Sequence, residues 1–251
     1  MNLILLQITS LVYIVLLSFF YFRKARISDV ENKIYRNLLI SNIIGLSIEL
    51  CCFYTVSHID TMEFLAFVST RMLLIYYIFF ISVYTTYVFV ISYKKEKNTL
   101  EKINSFYKKI FKYSIVGFAI SSCIITFLPQ EYFYDGNYVY TYGTAINFLQ
   151  IIFVMVMGIW SFVLVKKYKD IKLHKYLPVI LFIVLAGIGG FVQSIYPYIL
   201  LTTPIETLII FLMYFTIENP DMKLLEEVHK SKEISDAANE EKTLFLYNMT
   251  Q

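Results

Sequence analysis

The sequence predicts an all-α fold, a polytopic bundle of seven transmembrane helices with its N-terminus outside and its C-terminus inside, followed by a cytoplasmic coiled-coil helix. Long apolar stretches, a one-sided distribution of Lys and Arg, and an abrupt change to a charged tail support this fold class. Of 251 residues, 58% are apolar and 16% are charged, whereas about 25% of a soluble domain is charged. The composition therefore favours a membrane protein.

Seven stretches match the length that a membrane span requires, since about 20 apolar residues cross about 30 Å of hydrocarbon. The third stretch is long enough to tilt or to extend into the cytoplasm. The first has neither a basic segment before it nor an Ala-x-Ala site, so it is interpreted as a span and not as a cleaved signal peptide. The seven stretches are 3–22, 38–56, 64–93, 110–128, 144–165, 177–196 and 199–215.

The Lys and Arg residues fix the predicted orientation. Of the 22 present, 21 lie in the first, third and fifth connections, at the inner edge of the fourth stretch or in the tail, and Arg71 is the exception. The connections 57–63, 129–143 and 197–203 contain none. Because positive charge stays in the cytoplasm, we expect a multi-pass protein of the plasma (inner) membrane. The basic residues then contact lipid headgroups of the bilayer, and nucleic acid is not an expected partner.

The chain divides into a membrane domain, residues 1–217, and a tail, residues 218–251. The tail contains eight acidic residues and four lysines. The tail has a weak heptad pattern with two seam positions, and the second of these holds Ile234 but also polar and charged residues. Two alternatives therefore remain: a dimer helix with a polar core, or a solvated helix whose partner is missing. The first heptad position is occupied by Leu224, Ser231, Ala238 and Phe245.

The largest predicted outer loop, 131–143, alternates tyrosines on both sides of Asp135-Gly136. This pattern predicts a β-hairpin. Its tyrosines have two interpretations: an aromatic belt at the membrane interface, or part of a rim that faces a ligand.

Charged side chains inside spans are costly, and they usually face a cavity or a partner. Glu49, Arg71 and Glu206 all fall in the predicted outer half of the bilayer. We expect Arg71 to pair with one or both acids, as a structural pair that fixes helix packing or within a ligand-sensing pocket. Snorkelling of Arg71 to water is the remaining alternative. The predicted sensing residues of this layer are Glu49, Arg71, Tyr76, Tyr77, Asn147, Gln150, Gln193 and Glu206.

Residues for catalysis, metal binding or cofactor binding do not form a recognisable pattern. The three histidines lie on separate segments, and none of the common nucleotide, zinc or serine-hydrolase motifs occurs. Cys51, Cys52 and Cys123 all fall within spans, where they are interpreted as small apolar residues. We therefore predict no catalytic residue, no metal site and no cofactor.

The last part of the tail contains four short groups of residues, which are Ala238-Asn239, Lys242-Thr243, Phe245-Leu246 and Asn248-Met249-Thr250. In this pattern the end of the sequence resembles the start of the dimerisation and phosphoacceptor helix of bacterial sensor histidine kinases. The segment 216–221, Thr-Ile-Glu-Asn-Pro-Asp, is similar to the junction in the subgroup with a seven-helix sensor, and 139–143 resembles the segment before its fifth span.

The resemblance implies the sensor module of a two-component system, in which the tail is a signalling helix that acts on a cytoplasmic kinase and response regulator. It also implies a homodimer through 221–251. Gln251 occupies the position of the phosphorylated His, and an amide cannot serve as that nucleophile. Without an ATP-binding domain in the sequence, no autophosphorylation is expected from this chain alone. Two other function classes remain: a small transporter or channel, and a non-catalytic membrane assembly protein.

Overall fold

The computed structural model describes residues 4–23, 29–93, 100–136, 138–167 and 173–217, together with tail positions 228, 231–236, 238–240 and 242. Within these ranges the chain forms seven helices and one two-stranded hairpin. The helices and strands, in chain order, are α1 (Leu5–Arg23), α2 (Val30–Ser57), α3 (Ile59–Tyr93), α4 (Leu100–Phe127), β1 (Glu131–Tyr134), β2 (Val139–Tyr142), α5 (Thr144–Lys167), α6 (Leu173–Ile195) and α7 (Thr202–Ile217).

Six of the helices, α1 to α6, are long and apolar enough to cross a membrane. Each contains most of a predicted apolar stretch, so the sequence located these six apolar helices correctly. α7 is apolar but has only 16 residues, which is about 24 Å at 1.5 Å per residue. A seventh span therefore stays a prediction, as does the orientation in the membrane.

The bundle is built around α3 and α7. α3 packs against α2, α4 and α5, while α7 packs among α1, α2 and α6. An aromatic cluster fills the centre, where the Tyr84 ring lies 5.1 Å from Trp160 and 4.8 Å from Phe182. Burying aromatic rings of this size contributes strongly to packing. Few side chains of α4 and α5 are buried, and their apolar side chains are mostly exposed or only partly buried, as expected of helices that face lipid.

The turn between α2 and α3 is tight. His58 ends α2, and its N–H donates to the Thr55 carbonyl over 3.2 Å. A kink follows at Met62, whose φ of −130° and ψ of 34° are not helical. At the opposite end of α2, the Asp29 side chain accepts a hydrogen bond from the N–H of Val30 over 2.6 Å and caps the helix.

The predicted β-hairpin is confirmed. β1 and β2 pair antiparallel, with Tyr134 opposite Val139. The Asp135 side chain accepts a hydrogen bond from the N–H of Tyr138 over 2.7 Å, and Gly136 has a φ of 88° that disfavours most other residues. Asp135-Gly136 thus begins the four-residue connection 135–138 between the two strands, and Asp-Gly is a dipeptide that favours hairpin turns.

One end of the bundle carries the hairpin, the α2–α3 turn and the connection 196–201. There Val56, Val139 and Leu200 share a small hydrophobic cluster, and the Gln7 side-chain amide donates to the Leu200 carbonyl over 3.0 Å. We call this the hairpin end. The predicted topology places it outside the cell.

The described tail residues are helical and exposed at 231–236. Val228 and Ile234 are 59% and 65% exposed, so neither is buried by the bundle. Apart from 228, 231–236, 238–240 and 242, the segment 221–251, including Gln251, lies outside the described residues.

Candidate functional site

A cavity of about 770 Å³ lies at the hairpin end. Its walls come from α2, α3, α5, α6 and α7, and β2 and the connection 196–201 form part of its boundary. Its volume lies in the range of small-molecule pockets, about 300–1,000 Å³. The lining is mostly apolar, with a few polar groups contributed by different helices.

Six of the eight predicted sensing residues line this cavity. Each lies on the helix that forms where the sequence predicted its span. Asn147 and Gln150 share one face of α5 because they are three residues apart. The sequence grouped these residues by depth alone, and the packing of five helices brings them together. The six are Glu49, Tyr77, Asn147, Gln150, Gln193 and Glu206.

Glu206 is held by a buried network on three helices. Tyr76 of α3 does not line the cavity, but its hydroxyl donates to Glu206 Oε2 over 2.5 Å. Asn42 of α2 donates to the Tyr76 hydroxyl over 3.4 Å, and Thr207 donates to Asn42 Oδ1 over 2.8 Å. Glu206 is 2% exposed, so the network fixes the position of a carboxyl group that water hardly reaches.

Glu49 is less completely satisfied. The Thr203 hydroxyl of α7 donates to Glu49 Oε2, and Tyr77 lies beside the same carboxyl group. Glu49 is 0% exposed, and its Oε1 has no hydrogen-bond partner among the described residues. Oε1 thus makes no hydrogen bond of normal geometry, although the Tyr77 hydroxyl is near enough to interact with the carboxyl group.

The expected ion pair between Arg71 and the glutamates is wrong. Arg71 Nη1 donates to the carbonyl of Ile125 and Nη2 to that of Leu128, both over 2.6 Å. Ile125 lies in the last turn of α4, and Leu128 directly follows the helix. Carbonyl groups at this end of a helix have no donors within the helix. Its guanidinium carbon also lies 5.2 Å from the centre of the Phe67 ring. Arg71 therefore caps α4, and it is absent from the cavity lining.

The sequence interpretation missed three hydrogen-bonding residues, Asn42, Thr203 and Thr207. A signal was present, because Thr203, Glu206 and Thr207 are spaced i, i+3 and i+4 and so share one face of α7. Asn42 and Glu49 are seven residues apart and share a face of α2 in the same way. Polar faces within apolar helices mark the buried network more completely than charged residues alone.

Gly45 of α2 allows the close approach that this network requires. A Cβ at this position would overlap the Tyr76 ring, so only glycine lets Tyr76 lie flat against α2. The ring is thereby positioned between Asn42 and Glu206.

The hairpin contributes to the edge of the cavity, which supports the rim interpretation of its tyrosines. Tyr140 and Tyr142 of β2 both line the cavity. Tyr142 remains 44% exposed, and a hydrogen bond to Glu131 raises the pKa of its hydroxyl, because the protonated phenol is the donor. An aromatic edge of this kind also suits a membrane interface, and the two roles are compatible.

The charges of the lining are one-sided. Among the residues that line the cavity, Glu49 and Glu206 are the only acids, and none is Lys, Arg or His. Within the described parts of the chain, no three His, Cys, Asp or Glu side chains form a group able to hold a metal ion. The arrangement can therefore bind a small molecule through hydrogen bonds to two carboxyl groups, with apolar contacts around them.

Comparison with known proteins finds no matching family model and no matching curated protein.

Proposed function

We propose that this chain is the membrane receptor module of a histidine kinase-like signalling protein. The position of Glu206 is the observation that supports the proposal. It lies in the cavity wall and belongs to α7, the helix that leads directly into the tail. A molecule that enters the cavity contacts the helix that connects to the cytoplasmic output.

The buried contacts around Glu206 suggest how a signal crosses the bundle. Tyr76 joins Glu206 to α3, and Thr203 joins α7 to Glu49 of α2. A bound molecule that competes for either carboxyl group alters the contacts that hold α7 in place. Such a molecule shifts the equilibrium only if it binds one arrangement of α7 better than another.

The proposed topology places the cavity where an extracellular stimulus can reach it. With seven spans, an outer N-terminus and a cytoplasmic tail, the hairpin end faces outward and the basic connections face the cytoplasm. The resemblance of the tail to a kinase dimerisation helix supplies the output, a homodimeric helix that acts on a kinase and a response regulator.

A transporter is the second candidate, because a cavity with buried carboxyl groups also suits a substrate that passes through the membrane. The two functions differ in the event that binding triggers. A receptor changes its tail and holds its ligand, whereas a transporter moves the molecule to the other side.

The experiment uses the full chain in proteoliposomes, with Cys51, Cys52 and Cys123 replaced by serine and a spin label attached at Lys232→Cys. Small molecules are first selected because they raise the thermal unfolding temperature. We expect a selected compound to change the spectrum of the tail label, and Glu206→Gln to abolish that change. Glu63→Gln, an exposed acid of the hairpin end outside the lining, is the matched control.

The same compounds, radiolabelled, are tested for uptake into the vesicles. Accumulation that Glu206→Gln removes would establish transport in place of reception. Compounds that stabilise the wild-type chain through the cavity and leave the tail spectrum unchanged would contradict the receptor proposal.

A further inference from the structure

We propose that the cavity binds an amphiphilic amine, with its ammonium group between Glu49 and Glu206 and its apolar body against the aromatic wall. This inference rests on the proposed function in one respect, that the cavity is the ligand site. It adds the chemical class of the ligand, and it is tested by binding alone.

The first argument is the charge of the wall. Glu49 and Glu206 line the cavity, and no basic side chain does. Arg71, the basic residue predicted to neutralise them, instead binds the carbonyls at the end of α4. An ionised carboxylate away from water is costly unless it is paired. A ligand that carries positive charge supplies the missing partner.

The second argument is the unpaired acceptor. Glu49 is 0% exposed, belongs to the cavity wall and has no hydrogen-bond partner at Oε1 among the described residues. Its other oxygen already accepts from Thr203. An atom in this position is suited to a donor from a bound molecule. Ionised Glu49 and Glu206 can only accept hydrogen bonds. An ammonium group has three donors and no acceptor, so it is complementary to both.

The third argument is the apolar part of the wall. Tyr77, Phe153 and Phe182 line the same cavity as the two acids. Aromatic rings attract ammonium groups through their faces and provide apolar contact for hydrocarbon. A bare metal ion uses neither, because hard cations bind to several oxygen ligands. A volume of about 770 Å³ also leaves room for an organic body.

The test is a titration of the purified full chain with 4-phenylbutylamine, which is protonated at pH 7. Trp160 is the only tryptophan in the chain, and its ring lies 5.6 Å from Phe182 of the wall, so its emission reports binding. The matched probes are 4-phenylbutan-1-ol, which is neutral, and 5-phenylpentanoate, which is anionic. We expect saturable binding of the amine, with a Kd at least tenfold lower than that of either matched probe.

Variants then locate the ammonium group. Glu49→Gln and Glu206→Gln should each weaken amine binding at least tenfold and leave binding of the alcohol within about threefold. Glu63→Gln, which removes an exposed acid at the same end of the bundle, should change neither. If a glutamate variant fails to fold, the comparison of the Kd values of the amine and the alcohol for the wild-type chain still tests the inference.

Equal affinity for the amine and the alcohol, tighter binding of the carboxylate, or a response to sodium chloride alone would each overturn the inference. Its outcome is separable from that of the receptor proposal. Amine binding with no change in the tail label supports the ligand class and contradicts reception. A tail response to a compound without an amine keeps reception and rejects the ligand class.

Discussion

The hydroxyl of Tyr76 donates a hydrogen bond of 2.5 Å to Glu206, which connects the central helix α3 to α7 inside the bundle. Both side chains are almost fully buried, at 5% and 2% exposure. A typical hydrogen bond contributes about 0.5–1.5 kcal/mol, and a buried polar group left without its partner costs about 1–3 kcal/mol. This contact is therefore a strong constraint on where α7 lies relative to the cavity.

Replacing Gly45 with alanine tests that constraint. The new Cβ overlaps the Tyr76 ring, so the ring must move away from Asn42 and Glu206. We expect a loss of about 1–3 kcal/mol in the free energy of unfolding, the usual cost of overpacking a core. Thermal unfolding in detergent measures it.

Gly117→Ala is the matched control. It also lies within a helix, α4, and a Cβ there meets no atom within 4 Å. Alanine is favoured over glycine in helices by about 0.5–1 kcal/mol, so this variant should be as stable as the wild-type chain or more so. Equal unfolding temperatures for the two alanine variants would show that Tyr76 is not held as described.

Arg71→Ala should destabilise the bundle, because it leaves the carbonyls of Ile125 and Leu128 without their donors. The expected loss is about 1–3 kcal/mol, as for other buried groups left unsatisfied. The measurement is the unfolding temperature, with the exposed Arg36→Ala as the control for loss of a positive charge.

Charge reversal distinguishes the cap from an ion pair. When Arg71→Glu is combined with Glu49→Arg or Glu206→Arg, the swapped pair should not recover stability, because Arg71 contacts backbone carbonyls and neither acid. Partial recovery in either double variant would restore the ion-pair interpretation.

The predicted orientation in the membrane rests on the 21 Lys and Arg residues that the predicted topology places on one side. We expect a reporter that is active only in the cytoplasm to be silent when fused at Phe133 of the hairpin and active when fused at Lys242 of the tail. The opposite pair of results would reverse the topology. Equal expression of the two fusions, measured by immunoblot, is the control.

Tail pairing is tested by disulfide crosslinking in native membranes. If the helices of two chains pair in parallel, cysteine at Ala238 or Phe245, which share a heptad position, should crosslink at least several times faster than cysteine at Lys232. The comparison uses a background without Cys51, Cys52 and Cys123. Crosslinking no faster than at Lys232 would count against the homodimer.

The sequence was most informative where a local rule dominates. Asp135-Gly136 between alternating aromatic residues predicted the hairpin, since the turn needs little beyond its own residues. Apolar length predicted α1 to α6, because crossing hydrocarbon requires a continuous helix. The depth of Glu49 and Glu206, counted along their helices, placed both acids at the same end of the bundle.

Partners of individual side chains were less predictable. Side-chain charge alone predicts that Arg71 pairs with the glutamates. In the structure, its hydrogen-bond acceptors are the carbonyls of Ile125 and Leu128. Backbone acceptors at a helix end are present in every sequence and carry no residue signature. The role of Gly45 depends on where Tyr76 of another helix packs, which only the assembled bundle determines.

The shortness of α7 has a consequence for hydration. At about 24 Å for 16 residues, α7 would, as the predicted seventh span, leave roughly 6 Å of a 30 Å hydrocarbon layer uncovered. At the hairpin end the chain continues through the non-helical connection 196–201, of which Pro197 and Leu200 line the cavity. Irregular backbone at membrane depth requires protein partners or water. As the predicted seventh span, α7 would therefore require water or protein partners beside the connection 196–201, and water there would make the membrane electrically thinner at that point.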